Sequence, residues 1–206
     1  MRFFYSPGSC ALAPHILLRE ANLSFTPVRV DLPTHKTVSG EDYYAINPKG
    51  SVPLLELEDG ERLTEGPVIA QYIGDRAGRS DLMPPAGSML RYRVMEWQTY
   101  ISSELHKSFS PLFRPDFDEN GKAWLKRALR RKYEWVASRL EDRDFLASAN
   151  FTAADAYLYV VTRWASRFEI DLTDLHSLQS FMRRVNDRDA VQAALEAEGL
   201  PLKWAA

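Results

Sequence analysis

A chain of 206 residues, 45% hydrophobic and 26% charged, has the balance of a folded protein and the length for one large domain or two small ones. A formal net charge of -2 offers no basic face to nucleic acid or an anionic membrane, and no stretch approaches the roughly 18 uninterrupted apolar residues of a membrane span. The single cysteine gives no internal disulfide and no metal cluster, and the first seven residues lack the apolar run of a signal peptide, so the sequence reads as a cytoplasmic protein without nucleic-acid or membrane partners.

Arg2 to Tyr5 reads as a short buried strand, closed by the turn Pro7-Gly8. Ser9 then precedes a helical pattern through Leu12, Ile16, Leu17 and Ala21, with Pro14 in the first turn where proline is tolerated. Phe25 to Val30 alternates with period two, as a strand does, and Pro33 to Gly40 is polar and turn-like. Asn47-Pro48-Lys49-Gly50 is a strong turn. Val52 to Leu57 and Glu61 to Thr64 read as a hairpin about Asp59-Gly60, and Val68 to Ala77 as a helix ending at Gly78. Residues 1–78 therefore form a small α/β unit. Residues 79–87, rich in Pro, Gly and small polar side chains, form a linker. From residue 88 to 206 the pattern is all-helical: Met89 to Phe113, Lys122 to Leu140, a long helix from Thr152, then Leu178 to Val185 and Val191 to Glu198.

Five segments occur in order: Tyr5-Ser6-Pro7-Gly8-Ser9-Cys10, Asn47-Pro48-Lys49-Gly50-Ser51-Val52-Pro53, Leu63-Thr64-Glu65-Gly66, Ser103-Glu104-Leu105-His106-Lys107 and Phe151-Thr152-Ala153-Ala154-Asp155. Together they resemble the beta class of bacterial glutathione S-transferases, from Met1 to about Leu200. The resemblance implies a thioredoxin-like N-terminal domain, an all-α C-terminal domain and a homodimer. It also implies glutathione as co-substrate, with no metal.

Each residue has a physical reading beside the implied one. Cys10 follows a turn and opens a helix, where unpaired N–H groups favour an anion and lower a thiol pKa; the plain alternative is a small core residue. The resemblance implies that Cys10 faces the glutathione sulfur and can form a mixed disulfide with it. Ser9 could donate to the same sulfur or simply cap the helix. For Val52-Pro53 the resemblance implies a cis bond, which turns the Val52 main chain toward the glutathione peptide as an added strand would be met; the alternative is a trans proline starting a strand. Glu65 and Gly66 precede a helix, so their N–H groups suit the γ-glutamyl carboxylate and Glu65 its ammonium; an acid at a helix start also answers the dipole alone. Ser103 and His106, three apart, share a helix face. The resemblance puts His106 near Cys10, and Ser103 and Glu104 on glutathione, partly across the dimer. Thr152 to Asp155 has the form of a capping box, with no catalytic role.

Three positions depart from the beta-class pattern. His35 stands where that class usually carries Lys to meet the glycyl carboxylate, with Lys36 next in the chain; Lys36 is the residue favoured here for that contact. Thr99 stands where Asn usually reaches the partner's glutathione, and Ser148 where Gly usually precedes the capping box. The function so read is attack of the glutathione thiolate on a small hydrophobic electrophile, catalysed by Cys10, His106 and Ser9 through thiolate stabilisation and positioning. Thiol-disulfide or peroxidase side activity through Cys10 stays open. A non-catalytic ligand- or partner-binding protein is the alternative of another class. Phe109, Phe113, Trp164 and Phe168 would line the electrophile's side of the cleft, although core packing suits Trp164 better.

Overall fold

The computed structural model describes residues 1–204; Ala205 and Ala206, the end of the expected helical domain, lie outside them. The N-terminal part runs β1 (Arg2–Tyr5), α1 (Leu12–Glu20), β2 (Thr26–Asp31), β3 (Lys36–Thr37), α2 (Tyr43–Ile46), β4 (Leu54–Glu56), β5 (Arg62–Thr64) and α3 (Gly66–Ala77). The sheet order is β3-β2-β1-β4-β5, with β1 parallel to β2 and the other pairs antiparallel. Phe3 lies opposite Pro27 on one side and Leu55 on the other. Pro27 is tolerated because β3 covers only Val30 and Asp31, which leaves the outer side of Pro27 without a ladder partner.

The segment from Pro33 to Gly40, expected as a turn, carries the two-residue strand β3, and α2 follows it. Neither is long enough to show a period. The start of α2 is set by Asp42, whose carboxylate accepts the Tyr44 N–H.

The second part comprises α4 (Met89–Tyr100), a π-helical turn (Ile101–His106), α5 (Lys107–Phe109), a 3-10 turn (Ser110–Phe113), α6 (Glu119–Arg139), α7 (Ala153–Thr162), α8 (Trp164–Arg167), α9 (His176–Asn186) and α10 (Asp189–Glu198). Met89 to Phe113, which reads as one helical run, thus changes pitch three times. Pro111 lacks an N–H and tightens its end. The π turn coincides with carbonyls drawn to side chains: Lys132 Nζ and Ser108 Oγ both donate to the Glu104 carbonyl, and Ser103 Oγ donates to that of Thr99.

Helix α1 is buried along Leu12–Leu18 because it is sandwiched, with α3 on one side and α7 and α10 on the other. The capping box forms: Asp155 accepts the Thr152 N–H, and Thr152 in turn caps the N3 backbone. Asp155 also takes the Leu146 N–H and the Thr152 hydroxyl, each at 2.8 Å. Burial lifts its carboxyl to about 6 despite these donors.

Candidate functional site

A cleft of about 360 Å³ opens where α1, the loop before β4 and the start of α3 face the π turn and α7. Its sheet-side wall is formed by Lys49, Ser51, Val52, Pro53, Glu65 and Gly66. The Val52-Pro53 bond is cis. The carbonyl before it, on Ser51, is held by Asn47 Nδ2 at 2.7 Å and the Tyr43 hydroxyl at 2.9 Å. The Cys10 thiol donates to the Val52 carbonyl at 3.4 Å. Gly50 closes the preceding turn at φ 65°, and a Cβ there would stand 2.6 Å from the Tyr44 ring and 3.0 Å from that of His35.

Cys10 does not have the lowered pKa that its place in the sequence suggests. Helix α1 begins two residues later, and the sulfur is packed among protein atoms although the residue keeps an edge on the cleft. Burial pushes the thiol up to about 12; the N–H groups of Cys10 and Ala11 beside it oppose the rise without cancelling it. Ser9 is also spent on the turn: its hydroxyl donates to the Ser6 carbonyl at 2.7 Å and accepts the Ala11 N–H at 3.3 Å, and it does not line the cleft.

Neither His35 nor Lys36 lines the cleft. The His35 ring stacks on Tyr44 with centroids 4.3 Å apart and packs against Gly50, its Nδ1 buried with no partner among the described residues. Lys36 is exposed on β3. The cations that do line the cleft are Lys49 and Lys107. Lys49 Nζ donates to Glu65 Oε1 and Thr64 Oγ1, each at 2.8 Å. Glu65 holds a left-handed φ of 67°, uncommon for a residue with a Cβ, and turns the chain into α3. Its neighbour Gly66 is the first residue of that helix, where an N–H has no intrahelical acceptor.

The opposite wall is made of side chains. The π turn brings Ser102 and His106 to the cleft together. The α-helical spacing that pairs Ser103 with His106 does not hold there. Ser103 and Glu104 are exposed outside the cleft of their own chain, as is Thr99, whose hydroxyl donates to the Met95 carbonyl. Glu104 pairs with Lys132 at 3.0 Å. His106 Nδ1 lies 2.7 Å from the Tyr157 hydroxyl. Burial first, then the charge of Lys107, brings the His106 pKa down to about 4, so its imidazole is neutral at physiological pH. Trp164 is buried, as core packing suggests, and stands edge-on to His106 at 5.0 Å. Phe109 is buried beside it, whereas Phe113 is 41% exposed and packs edge-on against Trp164 and Phe168.

The loop carrying Cys10 is tied to the helical part at one residue, Gly8. Gly8 N–H donates to Glu198 at 2.9 Å, and Trp164 Nε1 donates to the Gly8 carbonyl at 2.9 Å. Glu198 also accepts from His15 Nδ1 at 2.8 Å. The proton is on Nδ1 because Nε2 is taken by Arg19 Nε at 3.1 Å. Sequence reasoning passed over Lys49, Gln98, Ser102, Lys107 and Tyr157, all on the cleft wall. Gln98 carries a signal only in three dimensions, a buried carbonyl oxygen with no partner among the described residues.

The comparisons with known proteins bear on this arrangement directly. Residues 8–76 match the family model of the glutathione S-transferase N-terminal domain, and residues 100–189 that of the C-terminal domain. The chain belongs to the glutathione S-transferase family. This transferase is 46% identical to glutathione S-transferase GstA of Escherichia coli O157:H7 over 97% of its own length and all of the relative's. Among solved structures it is similar to a sphingomonad glutathione S-transferase complexed with glutathione, at 42% identity and a TM-score of 0.94, covering 98% of this chain and all of that one. It is equally similar in fold to the beta-class enzyme of Sphingomonas chungbukensis, at 40% identity, the same coverage and a TM-score of 0.94. The thioredoxin-like and helical architecture and the beta-class resemblance therefore stand. Among the described residues the transferase has no helix long and apolar enough to cross a membrane and no cluster of metal-ligating side chains.

Proposed function

We propose that this transferase joins the glutathione thiolate to small hydrophobic electrophiles, with glutathione laid along the sheet-side wall of the cleft. The carrying observation is the convergence of the Val52 peptide, the start of α3 and the Cys10 thiol on one cavity. The cysteinyl N–H and C=O of glutathione would pair with the Val52 main chain. The γ-glutamyl carboxylate would meet the Gly66 N–H at the helix start, and its ammonium would meet Glu65. That ammonium displaces Lys49 from Glu65, which frees Lys49 for a carboxylate of glutathione. Lys49 thus takes the cationic role that the sequence assigns to His35 or Lys36.

A neutral Cys10 thiol is a hydrogen-bond donor to a neighbouring sulfur and a poor nucleophile, because the thiolate is the attacking form. This supports conjugation as the main reaction, with His106 and Cys10 as donors to the reacting sulfur and no direct part for Ser9. Family membership favours an enzyme over a non-catalytic binder. A lone thiol in the cleft also keeps thiol-disulfide exchange as a second reading. Rates of conjugation of a chloronitrobenzene and of reduction of a small mixed disulfide, measured on wild type and Cys10→Ala, separate the two. Conjugation should dominate and survive in Cys10→Ala within about tenfold. Disulfide reduction that dominates, and vanishes in the variant, would reverse the reading.

We further propose a cytoplasmic homodimer. Exposed Met89 and Tyr92 on α4 and Trp135 on α6 give it an apolar surface to bury, and Thr99, Ser103 and Glu104 on the same stretch would then reach the partner's glutathione. A dimeric mass by light scattering at micromolar concentration checks this, and an active monomer would refute it.

A further inference from the structure

His106 enters the cleft through a chain of polar groups drawn from two elements. Its Nδ1 is 2.7 Å from the hydroxyl of Tyr157 on α7. Ser102, four residues earlier in the π turn, lines the same cleft as Tyr157. Trp164 stands edge-on at 5.0 Å and restricts rotation of the ring. Nε2 has no partner among the described residues and is not enclosed, which leaves it as the imidazole atom that can meet a ligand.

We propose that Tyr157 is a positioning residue that fixes His106 as the Nε2–H tautomer, so that the imidazole presents a donor and not a lone pair to the sulfur of bound glutathione. The direction of the chain follows from the partners. Of a phenol and a neutral imidazole, the phenol is the better acid and the ring nitrogen the better base, so the shared proton belongs on the phenol oxygen. The Tyr157 phenol keeps its proton because burial would penalise a phenolate. The imidazole then carries its one hydrogen on Nε2.

The tautomer matters because the imidazole is neutral. The groups that face this pair are Cys10 from the turn before α1, Glu65 from the start of α3, Lys107 beside it on α5, and Ser102. In that surrounding, with its pKa lowered to about 4, His106 is neutral at physiological pH. A neutral Nε2–H donates a hydrogen bond to a thiolate without protonating it. The other tautomer would set a lone pair against the anion. Among preorganised donors at a developing charge, this one depends on a residue 51 positions away in the chain.

The inference rests on the reading of the cleft as a glutathione site, so its test has an arm that does not. Nitrogen-15 NMR of the imidazoles in the free protein reports the tautomer directly. Wild type should show His106 with Nδ1 unprotonated, and Tyr157→Phe should show a mixture of tautomers. Ser102→Ala, a change on the same wall that spares the Tyr157–His106 contact, should leave the tautomer unchanged, and it guards against a general disturbance of the wall in the first variant. With glutathione, Tyr157→Phe should raise the pKa of the bound thiol by about one unit, seen in the ultraviolet absorbance of the thiolate. Conjugation at pH 7 should fall about tenfold in kcat and recover at higher pH, while KM for glutathione stays within about twofold. A wild-type ring protonated on Nδ1, or a Tyr157→Phe variant with unchanged tautomer and unchanged pH profile, overturns the proposal. A protein that shows the Nε2–H tautomer but binds no glutathione would overturn the functional reading instead.

Discussion

The two walls of the cleft are built on opposite terms. The sheet-side wall presents main-chain groups: the Val52 carbonyl, the Gly66 N–H, and the Ser51 carbonyl locked by Asn47 and Tyr43. The helical wall presents side chains: Ser102 and His106, set by a change of helical pitch, and Tyr157 on α7. A peptide ligand can be recognised by backbone alone, since its own groups are backbone. Stabilising a thiolate takes donors of chosen chemistry, and those must be side chains or helix ends. The difference teaches that the Val52 stretch of the sheet-side wall should tolerate side-chain substitution and fail on backbone change, whereas the Lys49–Glu65 pair beside it and the helical wall depend on their side chains.

The largest effect should come where the helical wall is supported from below. Asp155→Ala leaves the Leu146 and Thr152 N–H groups without their acceptor at the start of α7, the helix that carries Tyr157. Urea unfolding should show a loss of about 3 kcal/mol. A loss under about 1 kcal/mol would mean that the helical wall does not stand on this box. The sheet-side counterpart is Gly50→Ala, which places a Cβ 2.6 Å from the Tyr44 ring at a φ of 65°. It should cost about 2 kcal/mol and raise KM for glutathione, because the strained turn precedes Val52. Unchanged KM would separate the turn from the binding wall.

A smaller effect concerns the thiol between the walls. With its pKa at about 12, Cys10 is ionised to about one part in ten thousand at pH 8. Its folded-state pKa lies above the ordinary thiol value, so protonation persists until the pH nears 12. Alkylation of the free enzyme by iodoacetamide should be slow and should rise about tenfold per pH unit with no plateau below pH 10. A plateau near pH 7 would show a thiolate, as in the sequence-based reading.

What was legible in the sequence follows the same division. Cys10, Val52-Pro53 and Glu65-Gly66 sit in short segments whose turn residues carry the geometry locally, and all of them line the cleft. Tyr157 shows only helical spacing in the sequence. What makes it a site residue is a phenol meeting His106 across a π turn that no apolar period reveals. Lys49 reads as part of a turn, because its ion pair with Glu65 exists only once the hairpin folds back. His35 and Lys36 attract attention because the beta-class resemblance implies a lysine at position 35 for the glycyl carboxylate. The need for glycine at position 50, where the His35 ring lies, is the clue that His35 points inward.

The account's central claim is that one wall binds and the other activates. Steady-state conjugation kinetics of Lys49→Ala beside His106→Ala test it most directly. Lys49→Ala should raise KM for glutathione about tenfold with kcat within about twofold, and His106→Ala should lower kcat about tenfold or more with KM within about twofold. If both variants change KM and kcat together, or if the two effects are exchanged, the division of the cleft into a binding wall and an activating wall is wrong.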